Sequence, residues 1–186
     1  MNNSIINNLN NIATNVNYDI VFNAFTSQIK RMSVGSIRRT GIKKIAKAVM
    51  LLAVIKGIED GTIRDNRIEY EPIAQIYNDV FRHYADRARQ DEFTLPYYPF
   101  YHLHSSDFWN LRFLSPNSIR KPSTPSAAWL RNNVEYAYLD PRLWAMLQRQ
   151  EYRRRLAEFI VKEKIMTATS GCRSMLRAFL GWLIAI

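Results

Sequence analysis

The sequence predicts a mainly helical α+β domain with a small antiparallel hairpin or sheet, and three stretches carry that expectation. Ile45 to Ile58 is apolar almost all round, and a helix of that kind belongs in the middle of a domain. Ile73, Ile76, Tyr77, Val80, Phe81, Tyr84 and Ala88 recur at three- and four-residue steps, the pattern of an amphipathic helix running to about Arg89. Tyr98 to Phe113 sets two aromatic-rich, strand-like runs around a polar turn at His104 to Asp107, which predicts a hairpin. With 186 residues and 47% hydrophobic content, one domain with a real core is expected and a second would be cramped.

Taken in order, the asparagine-rich residues 1–17 read as a flexible leader, 18–166 as the domain and 167–186 as an apolar tail of different character. Ile20, Val21, Ala24 and Phe25 have helical spacing, and Ser33 to Ser36 stops that first helix. Ile37 to Lys44 follows as a basic loop, suited to tracking phosphates or serving as a solvated linker. Gly61 closes the central helix, and Asn66 to Tyr70 is an extended connector before Pro72, which opens the next helix where its missing N–H costs nothing. Arg82, His83, Asp86, Arg87 and Arg89 form that helix's polar face.

Ser115 to Ser126, with Pro116, Pro122 and Pro125, reads as a loop. Val134, Tyr136 and Tyr138 alternate with Glu135 and Ala137, predicting a third short strand over Asn133 to Leu139. Asp140-Pro141 then starts a helix, with an N-cap carboxylate before a proline in the first turn. Leu143, Trp144 and Leu147 continue it, and a further helix begins at Glu151. Cys172 to Ile186, after a break at Thr167 to Gly171, suits a docked helix, a dimer contact or a truncated continuation.

Twenty-six Lys+Arg against sixteen Asp+Glu give a net charge of +10, which favours a polyanionic partner, either nucleic acid or an anionic surface. The single cysteine, Cys172, excludes an internal disulfide framework and a cysteine-based zinc site, in keeping with a reducing cytoplasm. The start has no basic region followed by an apolar run, so no secretory signal is expected. The apolar tail falls short of the roughly 20 residues that span a bilayer, so no membrane role is expected.

No Gly-rich phosphate loop, His-Glu-x-x-His, Gly-x-Ser-x-Gly or Cys-x-x-Cys occurs, so neither a cofactor nor a catalytic residue is assigned. On a strand His102 and His104 would face the same side and, with Asp107, offer metal ligands, but the set lacks further members and no metal is expected. In the aromatic stretch Phe100, Leu103, Phe108 and Leu111 are the expected core members, leaving Tyr101, His102, His104, Ser105 and Ser106 for recognition. Arg38, Arg39, Lys43, Lys44 and Lys47 precede or begin the central helix, whose N-terminal amides also receive phosphate.

The order of these motifs resembles the sulfur-binding domain at the N-terminus of phosphorothioation-dependent and related HNH restriction endonucleases of bacteria. The likeness rests on Lys47 with Leu51-Leu52-Ala53-Val54-Ile55, on Gly57 to Ile63 and Asn66, on Tyr98 to Leu103 and Ser106 to Leu111, and on Tyr138 to Trp144. It spans roughly residues 18 to 165. The chain departs from the family in carrying Ala46-Lys47-Ala48 where a His-Lys-Pro sequence often enters the central helix, and His104 where the turn often carries a basic residue.

The resemblance implies a helical domain with a small sheet that binds duplex DNA and, in some members, a phosphorothioate. Sulfur in place of a non-bridging oxygen is larger, softer and less hydrated, so an apolar concavity prefers it while nearby cations hold the charge. By position, His102, His104, Ser105 and Ser106, with the corner at Asp140, Pro141 and Trp144, are its pocket candidates, and Arg38, Arg39, Lys43, Lys44 and Lys47 its phosphate contacts. The expected function is a DNA-binding module of a bacterial restriction or defence system without a nuclease site of its own. A partner nuclease or self-association through the tail is compatible with this. The rival expectation is a protein-interaction or scaffold protein that uses the aromatic hairpin and the apolar C-terminus.

Overall fold

The computed structural model describes residues 18–115, 122–123 and 125–169; the expected leader, residues 170–186 of the apolar tail, and Arg120 and Lys121 of the proline-rich loop lie outside them. Seven α-helices and a two-stranded sheet form the described fold, which is the mainly helical α+β class read from the sequence. Helix α1 covers residues 18–31, and α2, Ala46–Glu59, follows the basic turn. Val49, Met50, Leu52 and Ala53 of α2 are completely buried, because an element apolar on every side lowers its free energy only when neighbours cover every side. Those neighbours include α3 (Tyr70–Ala85), α4 (Tyr97–His102) and α7 (Gln150–Ile160). Gly57 permits the closest approach on α2: a Cβ there would lie 2.8 Å from Ile63 Cδ1 and 3.2 Å from Ile76 Cδ1.

The amphipathic helix α3 begins two residues before Pro72, which keeps the proline in the first turn, where its missing N–H still breaks no helical bond. It ends at Ala85 rather than near Arg89, since Arg89 adopts a left-handed φ of 50° and turns the chain. Ala88 nevertheless stays in the core, its N–H donating to the Tyr84 carbonyl at 2.9 Å.

The expected hairpin over Tyr98 to Phe113 does not form. Its first arm is α4, followed by a 3-10 turn at Leu103–Ser105. Pro99 has no N–H for a ladder but fits the first turn of a helix, and Phe100, Tyr101 and Leu103 lie at helical spacing and are all buried. The second arm is a strand, β1 (Trp109–Phe113), and its antiparallel partner is β2 (Val134–Leu139), with Trp109 opposite Leu139 and Leu111 opposite Ala137. The strand at 134–139 is the one its alternation predicts. Between them, α5 (Ala127–Asn133) was not anticipated; the Ser126 hydroxyl caps it by accepting from the Trp129 N–H at 3.1 Å.

Helix α6 (Pro141–Leu147) starts as expected, with the Asp140 carboxylate accepting from the Arg142 N–H at 2.8 Å. Helix α7 runs into a π-helical turn, Val161–Ile165, and a 3-10 turn, Met166–Thr169. Among the described residues no helix is long and apolar enough to cross a membrane.

Asn66 finishes the sheet with a side chain in place of a strand. Its Nδ2 donates to the Leu139 carbonyl at 2.9 Å and its Oδ1 accepts from the Leu139 N–H at 2.8 Å, while Ile68 and Ala137 exchange backbone bonds beside it. Asn66→Ala leaves both backbone groups of Leu139 without these partners, and the expected loss is about 1–3 kcal/mol in chemical denaturation. A loss below roughly 0.5 kcal/mol would show that water replaces the amide there without cost.

Candidate nucleic-acid interface

The basic turn is a small, anchored structure. Ser36 and Lys43 form a β-bridge, the Ile37 N–H donates to the Ile42 carbonyl at 2.8 Å, and Gly41 takes the left-handed φ of 71° that the reversal requires. Ile37 is buried, which pins the turn to the body while Arg38, Arg39 and Thr40 stand exposed at its tip. Gln90, a buried polar residue with no sequence pattern to mark it, secures the other side. Its Oε1 accepts from the Ile45 N–H at 3.3 Å, and its Nε2 donates to the Lys43 carbonyl at 3.1 Å. The start of α2 is thereby held against the segment that follows α3.

That start forms one wall of a cleft of about 670 Å³. Lys44 and Lys47 line it together with His102 and Ser105 from α4 and its 3-10 extension. Phe93, Leu95 and Pro99 give it apolar surface, and Phe93 and Leu95 remain 45% exposed. Lys47 Nζ donates to Ser105 Oγ at 3.2 Å, and the same hydroxyl donates to the His102 carbonyl at 2.9 Å, so the ammonium is fixed from α4. The peptide N–H groups in the first turn of α2 have no carbonyl ahead of them in the helix, which adds a partial positive charge at this wall.

Burial lowers the pKa of Lys47, and His102 is held below its ordinary 6.5, first by burial and then by the charges of Lys47 and His104. The cleft therefore presents cations beside an imidazole that is neutral at pH 7. An anion in the cleft offsets the Lys47 charge and raises the His102 pKa, so binding takes up a proton. Anion affinity is thus expected to rise as pH falls from 7 through the lowered His102 value and then level off, by about several-fold in all. His102→Gln should flatten that profile in titrations at fixed ionic strength. A profile unchanged by the substitution would remove His102 from the anion's surroundings.

The structure divides the residues that the sequence grouped together. His102 and His104 would share a face on a strand, but through a helical turn positions two apart point in different directions. His102 lines the cleft, whereas His104 packs on the Tyr101 ring at 4.7 Å and its Nδ1 donates to the Tyr101 carbonyl at 2.6 Å. Tyr101, expected at the recognition surface, is 3% exposed and packs edge-on against Trp129. Tyr101 and His104 border a different, smaller pocket of about 200 Å³ beside Trp109 and Asn110. Ser106 is half-buried and spends its backbone on the turn into β1. Among the described residues no group of three His, Cys, Asp or Glu side chains is arranged to hold a metal ion.

The Asp140 corner also lies apart from the residues that line the cleft. The Asp140 N–H donates to the Phe108 carbonyl at 3.0 Å, tying the corner to the turn before β1. The Asp140 carboxylate is engaged by the Arg142 side chain at 2.8 and 3.0 Å, and those bonds hold its pKa below the usual carboxylate value. Pro141 is exposed at the first position of α6, and Trp144 is half-buried against the core.

Of the five expected phosphate contacts, Lys44 and Lys47 line the cleft, Lys43 and Arg38 are exposed nearby in sequence, and Arg39 is paired with Asp91. Phe93 and Leu95 are cleft residues that sequence reasoning did not select, because residues 91–96 have neither helical nor strand periodicity, whereas Tyr98 enters the cleft from the aromatic stretch itself, on α4. No protein-family model matches the chain, and no curated protein matches it.

Proposed function

We propose that this chain is a duplex-DNA-binding module of a bacterial, cytoplasmic restriction or defence system, with the cleft at the start of α2 as its backbone-sensing site. One observation carries the reading: Lys44 and Lys47 line the same concavity as His102, Ser105 and the apolar surface of Phe93, Leu95 and Pro99. Cations beside an apolar wall suit a phosphate group in which sulfur has replaced an oxygen, since the charge is held while the less hydrated atom meets carbon. The resemblance to sulfur-binding domains supports the same choice, and the net charge of +10 supports a polyanion. Lys43 and Arg38 extend the contact along the backbone. Arg39 joins only by exchanging Asp91 for phosphate.

The test is a fluorescence-anisotropy titration of the chain with matched short duplexes, one unmodified and one bearing a single phosphorothioate of defined stereochemistry. Tighter binding to the modified duplex, lost in Lys47→Ala, is the expected result. Equal, salt-sensitive binding retains the DNA module and removes the sulfur preference. No binding at low salt removes the DNA reading and favours a protein partner on the exposed Phe93 and Leu95.

A further inference from the structure

The cleft is much larger than the group it is proposed to sense. A phosphate has the bulk of a few water molecules, on the order of 100 Å³, and the cleft measures about 670 Å³. What surrounds the remaining volume is aromatic. Tyr98 and His102 lie one helical turn apart on α4 with their rings within 11° of parallel and their centroids 6.4 Å apart. Phe93 is the third ring in the lining, held edge-on to Phe81 at 4.9 Å and so fixed in orientation although 45% exposed. Tyr98 and His102 are half-buried, with Tyr97 packed on Tyr98 at 4.6 Å. Partly exposed flat rings beside a cationic end are the combination that takes up single-stranded nucleic acid, in which the backbone meets ammonium groups and each base stacks on an aromatic face.

We propose that the cleft receives one unpaired nucleotide of the bound DNA, with its phosphate at Lys44, Lys47 and Ser105 and its base against Tyr98, His102 and Phe93. This rests on the DNA-binding reading and deepens it: the ligand is a whole nucleotide, and the DNA that fits best is a duplex with a base already out of the stack. Extruding a paired base costs free energy that a bulged base has already met, so a bulge is the preferred form. Glu92, the acidic residue in the lining, disfavours a second phosphate in the cleft and offers an acceptor to a base that carries an exocyclic amine.

The experiment uses three otherwise identical duplexes with the full chain: fully paired, with a single-adenosine bulge, and with an abasic site in place of that adenosine. The bulged duplex is expected to bind on the order of tenfold more tightly than the other two. Tyr98→Ala should abolish that preference, whereas Tyr98→Phe, which keeps the ring, should retain it. Equal affinity for all three duplexes, or a preference that the abasic bulge shares, overturns the nucleotide pocket and leaves the DNA module standing. Failure to bind any of them overturns both. The comparison of duplexes needs only the unmodified chain, so a Tyr98 variant that does not fold leaves the outcome decided.

Discussion

Replacing Lys44 and Lys47 together with Ala is expected to weaken duplex binding by about 100-fold at low salt. Each ammonium contributes a charge-assisted contact of roughly 1.5 kcal/mol at the lower end of the usual range, and about 1.4 kcal/mol is tenfold in affinity. The loss should be similar for all sequences, because phosphate contacts carry no base information. The slope of log affinity against log salt should fall by about two, since two counterion-releasing contacts are gone. Lys47 should account for more than half the effect: it is held in place by Ser105 at 3.2 Å, and among the described residues no such bond holds the Lys44 ammonium. Arg39→Ala should matter less than either, because Arg39 already spends its charge on Asp91. Binding unaffected by the double substitution would remove the cleft from the interface.

The largest effect on stability is expected at Trp109. It is 1% exposed, opens β1 opposite Leu139, and meets the Phe100 ring edge-on at 5.7 Å, so it joins the sheet to α4. Trp109→Ala should cost about 3–5 kcal/mol in urea denaturation, as a lower midpoint with an unchanged slope. Trp109→Phe should cost far less, about 1–2 kcal/mol. It keeps a ring against Phe100 and removes a buried indole N–H that has no acceptor among the described residues. A phenylalanine variant as unstable as the alanine variant would show that the N–H is engaged and that volume is not the main contribution.

The helical part of the fold is legible because its signals are long. Fourteen consecutive residues of α2 with hardly a polar face leave one placement, and the 3.6-residue rhythm of α3 persists over four turns. Asp140-Pro141 is legible because a cap and a proline name the same boundary. The aromatic stretch misleads because six residues are too few for periodicity to separate helix from strand, and β-favouring Tyr and Phe describe a half-buried surface of either kind. Pro99 is the residue that decides it, through the N–H it lacks. The partner of β1 was hidden for another reason: β2 begins twenty-one residues beyond the end of β1, across α5.

The site follows the same division. Lys44, Lys47, His102 and Ser105 were all identifiable by chemistry, but that they share one cleft depends on α4 crossing the start of α2, which no local pattern encodes. A strand in place of α4 would also set His104 beside His102, whereas the helical turn carries it, with Tyr101, to the smaller pocket beside Trp109. Phe93 and Leu95 belong to an aperiodic connection, and their place in the cleft comes from where α3 ends.

The central claim is that the cleft at the start of α2 is where DNA lies. Lysine acetylation of the chain, read by mass spectrometry with and without a saturating short duplex at low salt, tests it residue by residue. Strong protection of Lys44 and Lys47 is expected, with partial protection of Lys43 and unchanged reactivity of Lys162, which is exposed on the π-helical turn after α7. Protection centred on Lys162, or Lys44 and Lys47 reacting equally with and without bound duplex, would contradict it.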